Sequence, residues 1–199
     1  FRQEVRPVIC CISDIHGELD KLEQMLELIR FSGEDHLYIL GGVIVRGTLG
    51  GDIFWRIIAA TNMTMLLGNH KQMCRTHQER NGILCFLAGL PGYLDLTVGG
   101  QRFHLVHGYP GEGHETRIWG RVEPDNRSPF PDTICIVGHT PTVFLTDGHD
   151  EDFSIWHGDG ILDIDCGCGS MKAAHRRLAC LRLDDMAEFY VGGVGEGTS

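Results

Sequence analysis

Five short polar segments of the chain carry residue types that can do chemistry. They are Ser13-Asp14-Ile15-His16-Gly17, Gly41-Gly42-Val43-Ile44-Val45-Arg46-Gly47, Gly68-Asn69-His70-Lys71, His107-Gly108 and Gly138-His139-Thr140-Pro141-Thr142. A carboxylate oxygen, an amide oxygen and imidazole nitrogens are donors suited to Mn, Fe or Zn. Arg46 offers a fork of N–H groups to phosphate oxygens. The adjacent glycines let backbone approach a bound ion or phosphate closely. An Asp-x-His-Gly alone reads as a turn, and a single His before Gly reads as a structural histidine. The inference rests on five such segments in one chain.

The elements around them explain how they could meet. Residues 8–13 (VICCIS), 36–40 (HLYIL), 63–67 (MTMLL) and 133–137 (TICIV) are short apolar runs, as buried strands are. Leu19, Leu22, Met25, Leu26 and Ile29 recur at helical spacing over 18–30. Residues 52–60 and 71–88 are predicted helices, the second with a break at Asn81-Gly82. The second half is strand-rich. A hairpin turns at Gly99-Gly100, strands follow at 161–165, 178–183 and 188–191, and a turn is predicted at Asp184-Asp185. Four of the five polar segments follow predicted strands, and His107 ends a fifth, where open α/β sheets build their ligand crevices. Strand–helix repeats followed by antiparallel strands predict two packed sheets with helices outside.

Composition narrows the function. The chain has 199 residues with 17 Lys+Arg against 27 Asp+Glu, a net charge of −10, which disfavours a nucleic-acid binder. No apolar run approaches the ~20 residues of a membrane-spanning helix. Eight cysteines occur without a CxxC pair, and Cys10, Cys11, Cys135 and Cys180, inside apolar runs, read as reduced core residues of a cytoplasmic protein. Cys166 and Cys168 form a CxC that reads as packing at a strand end. We expect one domain over 1–192 and a glycine-rich tail over 193–199.

The ordered motifs SDIHG, GGVIVRG, GNHK, HG and GHTPT resemble those of the calcineurin-like metallophosphoesterases, and in particular the bacterial serine/threonine phosphatases of the PPP type. The resemblance spans residues 12–191. It implies a four-layer αββα sandwich and a two-ion site, with Mn the expected metal and Fe or Zn the alternatives. Asp14 and His16 would hold one ion, and Asn69, His107 and His139 the other. His70 would protonate the leaving oxygen, and Arg46 would bind phosphate. Arg121, or alternatively Arg117, would be the second phosphate-binding arginine. The implied reaction is in-line attack on phosphorus by a metal-activated hydroxide. Its expected substrates are phosphoserine and phosphothreonine in a phosphoprotein, or a small phosphate ester. Dinucleotide polyphosphates are substrates of similar proteins.

The chain departs from the family pattern at four places, one of them Thr48, where relatives often have Pro. Where GDxxDRG has aspartates it has Gly42 and Val45, and Lys71 replaces the Glu of GNHE. Gly42 removes the carboxylate that bridges the ions, and Val45 removes the one that orients the acid histidine. The expectation is therefore an impaired phosphoesterase, or alternatively an inactive pseudophosphatase that binds phosphorylated partners. Asp52, Asp163 and Asp165 are the nearest candidates for a substitute ligand, but Asp52 reads better as a helix N-terminal residue and 149–152 as a solvated acidic loop. On the sequence alone, Gly42→Asp is expected to raise metal affinity and hydrolysis.

Overall fold

A computed structural model of the chain describes residues 6–43, 50–69, 86–146, 153–170 and 175–193. Two five-stranded mixed sheets form the centre, in the orders β10-β9-β1-β2-β3 and β4-β5-β6-β8-β7. In the first sheet, β1 (Ile9–Ile12), β2 (His36–Ile39) and β3 (Met63–Met65) run parallel. β9 (Arg177–Arg182) returns antiparallel beside β1, and β10 (Ala187–Gly192) pairs antiparallel with β9. In the second sheet, β4 (Tyr93–Val98) and β5 (Gln101–Val106) form the expected hairpin. β6 (Thr133–Val137) and β8 (Ile161–Asp163) continue in parallel, and β7 (Trp156–His157) closes the edge.

Side-chain alternation sorts the core into layers, because successive strand residues point to opposite faces. Cys10 and Ile12 of β1 face α1 (Leu19–Leu28) and α2 (Gly50–Ala59), packing with Leu22, Met25, Ile53 and Phe54. Cys11 points the other way, into the layer between the sheets, with Phe103, Leu105, Ile136 and Leu181. Val106, Cys135, Val137 and Ile161 form a third cluster on the far face of the second sheet. The molecule is thus an α/β sandwich of two sheets with flanking helices, as the sequence leads one to expect.

Some boundaries differ from the sequence reading. α2 begins at Gly50 rather than 52, and Asp52 lies exposed in its first turn. β3 ends at Met65, not 67. The six-residue helix α3 (His114–Trp119) and the two-residue β7 were not expected. α3 is too short for helical periodicity and sits between Gly113 and Gly120. β7 has too few residues to show alternation. Residues 86–88 are helical, while the rest of the helix expected over 71–88, the acidic loop 149–152 and the tail from 194 lie outside the described residues. Cys10, Cys11, Cys135, Cys166, Cys168 and Cys180 are buried free thiols, as the composition suggests. No helix among the described residues is long and apolar enough to cross a membrane.

Candidate metal centre

The site forms where strand ends of both sheets meet. Asp14 and His16 follow β1, and Gly41 and Gly42 follow β2. Asn69 lies beyond β3, His107 follows β5, and His139 follows β6. The central cluster is a buried network. Asp14 is 2% exposed, and its Oδ2 accepts the His139 backbone N–H at 3.0 Å and the Ser13 hydroxyl. Asp14 Oδ1 lies 3.4 Å from His16 Nε2, and Asp14 Oδ2 lies 3.9 Å from His107 Nδ1. This carboxylate therefore faces its expected partner ligand His16 and reaches towards the second group.

That second group is tightly joined. His107 Nδ1 donates to the Leu40 carbonyl at 2.5 Å, which leaves the lone pair on Nε2. Nε2 lies 3.4 Å from Asn69 Oδ1, and Asn69 Nδ2 donates to His139 Nδ1 at 3.0 Å. The two imidazoles have centroids 5.0 Å apart. Trp119, at the end of α3, stands edge-on to His139 at 6.3 Å and walls the site. Trp119 and the Ser13 hydroxyl were not among the expected site residues. Ser13 sits inside the SDIHG motif, so its position was the available signal.

The backbone here is strained in a way that other contacts must hold. Six non-glycine residues among those described have positive φ, and three are Asp14 (48°), His16 (51°) and His139 (68°). Each such residue costs about 1–3 kcal/mol and clusters of them mark functional sites. Burial alone would raise the Asp14 pKa. Its contacts with His107, His16 and the Ser13 hydroxyl outweigh burial and hold the carboxyl far below the usual range.

The glycines define what the centre can hold. Gly41 has φ +85°, and a Cβ there would sit 2.8 Å from both Gly68 Cα and His107 Nδ1. Gly42 has φ +64°, and its Cβ would lie 2.5 Å from Asp14 Cα and 2.7 Å from Asp14 Cγ. Asp14 thus fills the room a side chain at 42 would need. Donor atoms bound side by side at ~2.1 Å from one ion lie about 3 Å apart, close to the 3.4 Å between Asn69 Oδ1 and His107 Nε2. Two histidines and an amide stand on that side, and an aspartate and a histidine on the other. Among the described residues, no three His, Cys, Asp or Glu could hold a metal ion. By donor type the residues fit one divalent ion on the Asn69 side, and they do not fit a carboxylate-bridged pair.

Two further acids lie close by. Asp163 is fully buried, with Oδ1 accepting the Asp165 N–H at 2.9 Å and Oδ2 lacking a partner. Burial, then the charges of Asp165 and Asp14, push its pKa well up. Asp165 Oδ1 accepts the Gly167 N–H at 3.1 Å. Arg117 directs its Nε to the Gly111 carbonyl at 3.1 Å and its guanidinium lies 4.4 Å over the Tyr93 ring. Arg121 is exposed beyond α3. Arg46 and His70, and with them Val45 and Lys71, lie outside the described residues.

Comparison with known proteins agrees with this architecture. The structure is similar to that of a candidate diadenosine tetraphosphatase, at 17% identity and TM-score 0.65, covering 98% of this chain and 96% of that one. A metallophosphoesterase from Sphaerobacter thermophilus is also similar, at 17% identity and TM-score 0.58, covering 94% of this chain and 88% of that one. A cold-active protein-tyrosine phosphatase of a psychrophilic Shewanella species follows at 14% identity and TM-score 0.53, covering 93% of this chain and 80% of that one. At these identities the likeness is one of fold. No curated protein matches the chain at a significant level. Residues 7–171 match the sequence model described as calcineurin-like phosphoesterase, and on that span the chain belongs to the calcineurin-like phosphoesterase family.

Proposed function

We propose that the chain is a phosphoester hydrolase centred on Asp14, His16, Asn69, His107 and His139, acting on phosphoserine or phosphothreonine of a phosphoprotein, or on a small phosphate ester, in the cytoplasm. The observation that carries this reading is the convergence of those five side chains from four separate strand ends into one buried, mutually bonded cluster. Family membership implies a divalent metal. Asn69, His107 and His139 would hold it, with Mn²⁺ the ion in this reading. Such an ion neutralises charge on phosphoryl oxygens and activates water at neutral pH.

The protein's own groups have distinct tasks. The Leu40 carbonyl fixes the His107 tautomer, so that Nε2 presents its lone pair. Asp14 ties the His139 loop to the end of β1 through the His139 N–H, and so holds both halves of the site in register. Trp119 shields one side of His139 from water. In this reading Arg46 orients the phosphate, with Arg121 a second contact at the rim, and His70 delivers a proton to the leaving oxygen.

The test is Mn²⁺-dependent hydrolysis of p-nitrophenyl phosphate by the purified chain. Turnover should fall by roughly 100-fold or more in His139→Ala and Asp14→Asn. Equal rates in the wild type and both folded variants would sink the reading.

A second reading has its own observation. The Asp14 side chain occupies the room of a bridging carboxylate at position 42, which favours a pseudophosphatase that binds phosphorylated partners without turnover. Phosphopeptide binding that persists in EDTA, with no hydrolysis above the variants, would select it.

A further inference from the structure

Away from the metal centre, the outer face of the second sheet carries a cavity of about 550 Å³, a size usual for small-molecule sites. Its wall includes Tyr93, Asp95, Arg102, His104, Arg117 and Phe130. Three properties of this wall belong together. His104 is 4% exposed, and its Nδ1 lies 2.7 Å from Asp95 Oδ1. A carboxylate only accepts, so Nδ1 carries the proton, and a neutral ring then leaves Nε2 as an acceptor. That Nε2 is buried without any partner. A buried unpaired nitrogen is costly, and a ligand N–H would satisfy it.

Aromatic surface surrounds that nitrogen. Tyr93 stacks on the His104 ring at 5.1 Å, and Phe130 lies against it at 4.6 Å. Tyr93 and Phe130 nevertheless remain 39% and 36% exposed. Tyr93 is already stacked on His104 and covered by the Arg117 guanidinium at 4.4 Å, so Phe130 presents the ring surface suited to stacking a planar heterocycle. The charge is also distinctive. Arg102 spends one N–H on the Pro131 carbonyl at 2.6 Å, and Arg117 spends its Nε on Gly111. Both forks keep further N–H groups, whereas Asp95 is engaged by His104. In a chain of net charge −10 this is a local anion-attracting patch.

We propose that this cavity is a second ligand site, distinct from the Asp14 cluster, which takes a mononucleotide. The planar base stacks on Phe130 and gives an N–H to His104 Nε2, while the phosphate meets the Arg102 and Arg117 forks. The site stands whether or not the metal centre is active, because it shares no residue with the cluster.

Calorimetric titration of the full chain with AMP tests it, with adenosine (ring without anion) and ribose 5-phosphate (anion without ring) as comparators. AMP should bind one per chain, and each comparator should bind roughly tenfold more weakly or less well still. Arg102→Glu and His104→Phe should each weaken AMP at least about tenfold, whereas Asp14→Asn should leave AMP affinity unchanged. Arg102 is exposed, so its variant remains informative if His104→Phe does not fold. No binding of AMP at millimolar concentration overturns the proposal. So does binding that Asp14→Asn removes and Arg102→Glu spares, because the nucleotide would then sit in the Asp14 cluster.

Discussion

Asp14 is the residue on which the candidate centre turns. It accepts from Ser13 and His139, faces His16 and His107, and lies against the Cα of Gly42. The sequence comparison suggests that an aspartate restored at position 42 would regain a bridging ligand. The structure argues otherwise. At φ +64°, a Cβ 2.5 Å from the Asp14 backbone cannot be accommodated by side-chain rotation alone. Gly42→Asp should therefore destabilise the fold by about 2–4 kcal/mol and lower any Mn²⁺-dependent hydrolysis, read from a urea midpoint and from p-nitrophenyl phosphate turnover. A folded variant with higher turnover would show instead that the loop opens and that Asp14 moves aside.

At the scale of elements, the parallel strands are held at their ends by caps and side-chain ties that can be tested one at a time. α1 ends in a Schellman arrangement, with Phe31 N bonded to the Leu26 carbonyl at 2.8 Å and Arg30 N to that of Glu27 at 3.0 Å. Arg30 occupies the left-handed position at φ 53°, where glycine carries no Cβ penalty. Arg30→Gly should stabilise the protein by about 0.5–1 kcal/mol in thermal or urea unfolding. Asp35 ties the start of β1 to the loop after α1, accepting from Val8 N at 2.9 Å and Ser32 N at 2.7 Å. Burial raises its pKa, but these hydrogen bonds outweigh burial and lower it. A carboxylate depressed in the folded state contributes stability above the unfolded value of about 3.9 and loses it as pH falls through the folded value. Asp35→Asn should thus cost about 1–2 kcal/mol at pH 7, and the gap to wild type should shrink as pH drops below about 4. A gap that does not change with pH would show that the charge plays no part.

At the scale of the whole molecule, layering governs which groups can react. Burial drives the Cys166 thiol well above its ordinary pKa and pushes Cys168 up to about 12. Cys10, Cys11, Cys135 and Cys180 lie within buried strands. All six should resist a thiol reagent at pH 8 in the native protein and react on unfolding, as peptide mapping would read. Early labelling of Cys166 or Cys168 would mean that the strand end opens on its own. Much of the architecture was legible in the sequence, because VICCIS, HLYIL and TICIV are apolar runs whose period and length admit little but buried strands. The donors were legible too, as Asp14, His16, Asn69, His107 and His139 all follow such runs. α3 and its Trp119 were not legible, because six residues between glycines carry no periodic signal. Nor was the His104 cavity, whose walls come from β4, β5, α3 and the loop before β6. The sequence by itself determined which residues carry donor atoms at these strand ends, and that a carboxylate is missing at position 42, because both are matters of residue type. Only the tertiary structure decided that Asp14 fills the space beside Gly42 and that burial pushes the Asp163 carboxyl pKa well up. Those outcomes depend on distances between distant segments and on burial, which composition and spacing do not contain.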